Sequence, residues 1–141
     1  MSDKKSQIFI SSSNTDSKTA QDLVRALSLR GVTAWHDSEL PVGDRWMDAM
    51  EEKLSQASIY VHLVGPDYHS SRWANFESGV AVGRAAHDKN VALIPVVLTG
   101  ATWADVPSLL RQWNGIDARQ STPDELATQL VKIVERHKQA D

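Results

Sequence analysis

The feature that most constrains the fold is an alternation of short apolar runs with segments of helical periodicity. Four apolar runs have the length of a strand, a brief segment near residue 116 could form a fifth, and helical patterns separate most of them. This order is typical of a parallel sheet whose strands are joined by crossover helices. We therefore predict an α/β fold of the flavodoxin-like type, with a central five-stranded parallel sheet and helices on both faces.

The apolar runs and helix signals give approximate element bounds. The strands are predicted at 7–12, 32–36, 58–64, 91–98 and 114–117. The helices are predicted after Thr15 or Asp16, after Asp44, from Ser70 or Ser71 to about Ala86, and after Thr122. The last helix has the clearest start, because Thr122, Pro123 and Glu125 form a capping-box signature. Pro95 interrupts the fourth strand and predicts a bulge or a strand end there.

Composition narrows the classes of function. Fifteen basic and eighteen acidic residues give a net charge of −3, which argues against a nucleic-acid or anionic-membrane partner. The chain has no cysteine, so disulfides and thiol chemistry are excluded. No apolar run has the length of a signal peptide or a membrane span, and we expect a cytoplasmic protein. We predict one domain over 1–141, with a core of about 6–138 and no metal site.

In an open parallel sheet, ligands bind at the carboxyl ends of the strands. The loops after Ser12, His36, Val64 and Leu98 are therefore the candidate site. No glycine-rich dinucleotide or phosphate-loop motif follows any strand, which argues against a Rossmann site and a P-loop. A receiver domain is also disfavoured, because serines stand where it needs paired acids after the first strand.

Trp73 and Glu77 are the most informative pair of residues near this edge. Glu77 is four positions after Trp73, so on a helix the two residues share a face close to its N-terminus. An indole and small apolar neighbours would partly desolvate the carboxylate and keep it available for chemistry. The spacing alone is a weak pattern, and it favours a solvated helix acid beside a tryptophan that anchors the core.

Three segments, taken in order, resemble a Toll/interleukin-1 receptor (TIR) domain, and the resemblance covers nearly the whole chain. The first is similar to the first-strand box of the family, the second to its second strand and BB loop, and the third to its helical signature. The segments are Phe9 to Ser12, Gly31 to Asp37 with Gly43 and Trp46, and Ser70 to Trp73 with Glu77.

The resemblance implies an enzyme that cleaves NAD⁺ at the nicotinamide–ribose bond, in a setting of prokaryotic antiphage defence or virulence. NAD⁺ is then the substrate, and no cofactor is expected. The products would be nicotinamide and ADP-ribose or a cyclic ADP-ribose isomer. Glu77 matches the catalytic glutamate of the family. The predicted substrate-binding residues are Trp73, Ser11, Ser12, Asn14, Asp37 and Trp46.

Two other functions fit the same sequence. The first is a non-catalytic TIR–TIR interaction module, and the second is a transferase of the nucleoside deoxyribosyltransferase type. The loop from Asp37 to Gly43 resembles the BB loop, which mediates assembly in the family, so self-association is expected. A separate sensor or effector protein is a further possible partner. Gly79 and Gly83 lower the stability of their helix, which predicts that another element or subunit approaches closely there.

Overall fold

The computed structural model describes residues 8–36, 52, 54–68, 72–88 and 90–139, and for 72–78 and 138–139 it describes the backbone alone. The strands are Ile8–Ser11 (β1), Ala34–His36 (β2), Ile59–Val64 (β3), Ala92–Val97 (β4) and Ile116–Asp117 (β5). The longer helices in this part of the chain are Ser17–Leu29 (α1), Arg72–His87 (α2) and Pro123–Gln139 (α3). Short 3-10 helices span Asn14–Asp16, Trp103–Asp105 and Ser108–Gln112.

Several predicted features fall outside the described residues. They include the loop from Asp37 to Gly43, the cap at Asp44 and the cap at Ser70 or Ser71. The ends of the predicted domain, with its core from about residue 6, also reach beyond the description.

The strands form one parallel sheet in the order β2-β1-β3-β4-β5. This is the flavodoxin-like order, and it confirms the predicted five-stranded α/β fold. β1 lies between β2 and β3, and its register pairs Ser11 with His62 of β3. The carboxyl ends of these three strands are therefore neighbours.

Helices cover both faces of the sheet, which explains why its strands are continuous apolar runs rather than alternating ones. On one face, α1 and α3 pack against side chains such as Ile10 and Val61. On the other face, Phe9 and Tyr60 pack with Ala81 of α2. Because successive strand residues point to opposite faces, β1 and β3 contribute to both cores.

Local signals define two helix ends. Thr122 and Glu125 form the predicted capping box at α3, since each backbone N–H donates to the side chain of the other residue, at 2.9 and 3.1 Å. Gly31 ends α1 with φ +80°, in a Schellman motif completed by the Val32 N–H bond to the Leu27 carbonyl at 2.9 Å.

The prediction of a bulge or strand end at Pro95 is wrong. β4 runs through Pro95, which pairs in register with His62 of β3. The backbone N–H groups of Ala92 and Leu98 donate to carbonyls at the two ends of β3. The backbone N–H groups of the odd-numbered residues between them therefore point toward β5. β5 pairs only from Val96 onward, and the missing N–H of Pro95 therefore removes no ladder hydrogen bond.

Candidate active site

The candidate site lies at the carboxyl edge of the sheet, where β1 and β3 end side by side. The chain leaves β1 into α1 on one face of the sheet and leaves β3 toward α2 on the other face. This reversal is the switch point at which open α/β sheets bind ligands. The structure thus brings the carboxyl ends of β1, β2 and β3 to one end of the sheet.

The serines after β1 are buried and have partners within the protein. The Ser11 hydroxyl lies 3.4 Å from the Tyr68 hydroxyl. The Ser12 hydroxyl donates to the Ser13 carbonyl at 3.0 Å and lies 2.9 Å from Nε2 of His36. A hydroxyl has one proton, so in this arrangement His36 donates through Nε2. Asn14, in contrast, is exposed on the turn that follows.

A second set of contacts joins the turn after β1 to the turn after β3. Thr15 donates to Oδ2 of Asp67 at 2.9 Å, and Ser13 donates to Oδ2 of Asp16 at 3.3 Å. The Asp16 carboxylate lies so close to Gly65 that a Cβ on this glycine would be 2.1 Å from Oδ2. Asp16 is the N-cap residue of α1 by position, but its side chain makes no capping hydrogen bond.

Burial raises the pKa of Asp16 above its ordinary value of 3.8. The hydrogen bond from Ser13 acts in the opposite direction, and the nearby Asp67 carboxylate adds to the rise. The switch point therefore carries an aspartate whose charge is costly in the folded state.

Behind this edge, His62 and Tyr68 form a buried pair that sequence reasoning does not single out. Both residues are fully buried, and His62 Nδ1 lies 2.8 Å from the Tyr68 hydroxyl. Burial lowers the pKa of His62 to about 3, so the ring is neutral. The signal that could have found the pair is a histidine inside the otherwise apolar run of β3.

The predicted catalytic pair lies in α2. Trp73 follows the first residue of this helix, and Glu77 comes one turn later on the same face. The helix begins at the end of the connection that leaves β3, so its N-terminal turns belong to the carboxyl edge of the sheet. Asp37 and Trp46 lie outside the described residues.

A polar cavity of about 610 Å³ lies two strands away, at the ends of β4 and β5, and its lining includes Thr99, Asp117 and Arg119. Arg119 makes a two-pronged ion pair with Asp117 at 2.8 and 2.9 Å, which lowers the pKa of Asp117 to about 2. The positive charge in this cavity is therefore already neutralised. No group of three or more potential metal ligands occurs among the described residues.

The sheet order, the two helical layers and the polar edge between β1 and β3 define a doubly wound α/β domain with a switch-point site. The chain belongs to the TIR domain family, because a family model described as TIR domain matches residues 8–132. None of the helices in the described residues is long and apolar enough to cross a lipid bilayer.

A curated relative and two solved structures are similar to this chain. The relative is the 2′ cyclic ADP-D-ribose synthase BtTIR of Bacteroides thetaiotaomicron, 28% identical over 92 residues, which are 64% of this chain. The match spans only 32% of that relative's length.

The solved structures are similar in fold. The TIR domains of the activated Roq1 resistosome, which directly recognizes the pathogen effector XopQ, align with a TM-score of 0.73 and 13% identity, over 92% of this chain and 99% of theirs. The RPS4 and RRS1 TIR domain heterodimer aligns with a TM-score of 0.66 and 15% identity, over 94% and 98%.

Proposed function

We propose that this TIR domain cleaves NAD⁺ at the bond between nicotinamide and ribose, with Glu77 as the catalytic residue. The observation that carries the proposal is the position of Trp73 and Glu77, one turn apart in the N-terminal part of the helix that follows β3. Further support comes from the Bacteroides relative, whose name describes synthesis of a cyclic ADP-ribose. The products are then nicotinamide and ADP-ribose or a cyclic isomer.

The chemistry explains why one carboxylate is sufficient. When the C1′–N bond breaks, both electrons pass to the pyridinium nitrogen, and nicotinamide leaves as a neutral molecule without a general acid. The ribose then carries oxocarbenium charge, which a nearby carboxylate stabilises. Water adds to C1′ and loses a proton to give ADP-ribose. A hydroxyl group of the same molecule, adding in place of water, gives a cyclic product.

The other site residues would hold the substrate. In this proposal, the indole of Trp73 would bind the cationic nicotinamide through its ring face. Asn14 is exposed on the turn after β1, so its amide is available to a ribose or phosphate group. Ser11 and Ser12 are buried, and they would contact the substrate only by exchanging their present hydrogen bonds. Asp37 and Trp46 complete the proposed binding set.

Assembly belongs to the same proposal. Two structural neighbours are a TIR heterodimer and the TIR domains of a resistosome, which supports self-association of TIR domains. We place the enzyme in prokaryotic antiphage defence or virulence, controlled by self-association or by a separate sensor or effector protein. A non-catalytic assembly module is the alternative function.

The test is a product assay on the purified protein at high concentration with NAD⁺. The proposal predicts that nicotinamide appears in equal amount to ADP-ribose or a cyclic isomer. Chromatography measures both products. Self-association without nicotinamide release would instead support the assembly module. A parallel reaction with deoxynucleosides tests the transferase, for which base exchange without NAD⁺ cleavage is expected.

A further inference from the structure

The connection from β3 to α2 contains a fully buried tyrosine. β3 ends at Val64, a turn follows at Gly65, and Tyr68 then enters the core with no exposed surface. α2 begins at Arg72, only four residues later. Of the described residues before α2, Tyr68 is thus the last, and its position restricts where the helix can start.

The Tyr68 hydroxyl contacts the ends of both central strands. It lies 2.8 Å from His62 Nδ1 on β3 and 3.4 Å from Ser11 Oγ on β1. Ser11 and His62 are register partners, so their side chains emerge side by side on the face that α2 covers. The His62 and Tyr68 rings meet edge to face, with an interplanar angle of 88°. One hydroxyl therefore ties the connection that leads toward α2 to two strands.

This arrangement is costly for the fold. Within the described part of the chain, Nε2 of His62 is buried without a hydrogen-bond partner. A buried polar atom without a partner lowers the stability of the folded state. The next position on the same face of β3 is filled by Val64, which carries no such cost. Stability alone does not explain a histidine here, whereas a need to orient Tyr68 does.

We propose that Tyr68, oriented by His62 and Ser11, is the positioning residue for the helix segment that carries Glu77. This inference rests on the proposed function of Glu77. Catalysis depends on sub-ångström placement, and a displacement of about 1 Å can reduce a rate about 10²-fold. Tyr68 itself needs no contact with NAD⁺, because it acts through the start of α2.

The test compares Tyr68→Phe with Tyr60→Phe. Both substitutions delete a buried, hydrogen-bonded tyrosine hydroxyl on the same face of the sheet, and both retain the ring. Tyr60 is a matched control because its hydroxyl donates to the Leu54 carbonyl and accepts from Arg84, which lies in the C-terminal half of α2. The two variants therefore loosen opposite ends of one helix.

For Tyr68→Phe we expect kcat for nicotinamide release to fall about 10–100-fold while KM for NAD⁺ changes little. Tyr60→Phe should keep kcat near the wild-type value with a similar loss of thermal stability. Equal effects of the two variants on kcat would overturn the proposal.

Amide hydrogen exchange separates this inference from the proposed function, because it needs no enzymatic activity. Tyr68→Phe should speed exchange of amides in the segment 74–78 about tenfold relative to Tyr60→Phe. If wild-type protein releases no nicotinamide, the proposed function fails, and the exchange result still decides the positioning role. Unchanged exchange in that segment would overturn it.

Discussion

Gly115 permits β5 to lie against β4, and its replacement by alanine is a direct test of that packing. A Cβ at this position would lie 2.3 Å from the Pro95 carbonyl oxygen and 3.0 Å from two ring carbons of Trp103. The tryptophan can move because it is partly exposed, but the carbonyl belongs to the backbone of a central strand. Relief of the clash therefore requires a backbone shift, and overpacking of this kind costs about 1–3 kcal/mol.

The assay is thermal unfolding followed by circular dichroism. With an unfolding entropy of about 2.1 cal/mol/K per residue, a chain of this length loses roughly 3 °C in Tm per kcal/mol, so Gly115→Ala should melt about 3–10 °C lower. The control is Gly83→Ala, because no described atom lies within 4 Å of a Cβ added there. This helical substitution should raise Tm by roughly 2–3 °C. A Gly115→Ala protein that melts with the wild type would refute the packing argument.

Three further predictions follow from the site and its assembly. The pKa of Asp16 is raised, so ionisation of its carboxyl lowers the stability of the wild-type protein as the pH rises above 3.8. The Tm of Asp16→Asn minus the Tm of the wild type should therefore increase from that pH toward neutrality. A difference in Tm that stays constant with pH would contradict this. Replacing Leu40 and Val42 by charged residues should weaken self-association, measured by sedimentation, while Tm changes little. If the wild type associates and the variant sediments in the same way, the loop from Asp37 to Gly43 does not mediate assembly. If only the assembled state is active, as the proposed function has it, nicotinamide released per mole of wild-type protein should rise with protein concentration and with crowding. A flat dilution series would remove assembly from the mechanism.

Local chemistry explains which parts of the fold were predictable from the sequence. The capping box of Thr122 and Glu125 involves residues three apart, and the structure confirms it. The role of Pro95 was mispredicted because it depends on which neighbouring strand its backbone faces, and sheet order is not a local property. Gly79 and Gly83 are a related case. No described atom approaches either position, so the close contact expected there is not made within the described chain.

The candidate site was predictable to a similar extent. The strand-end rule places Ser11 and Ser12 at the carboxyl edge, where the structure has them. Their burial, and the contact of Ser11 with Tyr68, depend on the β1–β3 register and on the turn after β3. In the sequence, His62 stands out as a histidine within an apolar run, but no local pattern identifies its partner. Its partner becomes visible only when the turn returns Tyr68 to the core.

The most direct test of the central claim is nicotinamide release by Glu77→Gln, which keeps the shape of the side chain and removes its charge. Glu135→Gln is the matched control, because Glu135 is an exposed glutamate in α3. With both variants as stable as wild type, we expect Glu77→Gln to lose at least about 10²-fold in rate and Glu135→Gln to keep the wild-type rate. A Glu77→Gln protein that releases nicotinamide as fast as the wild type would contradict the catalytic role of Glu77.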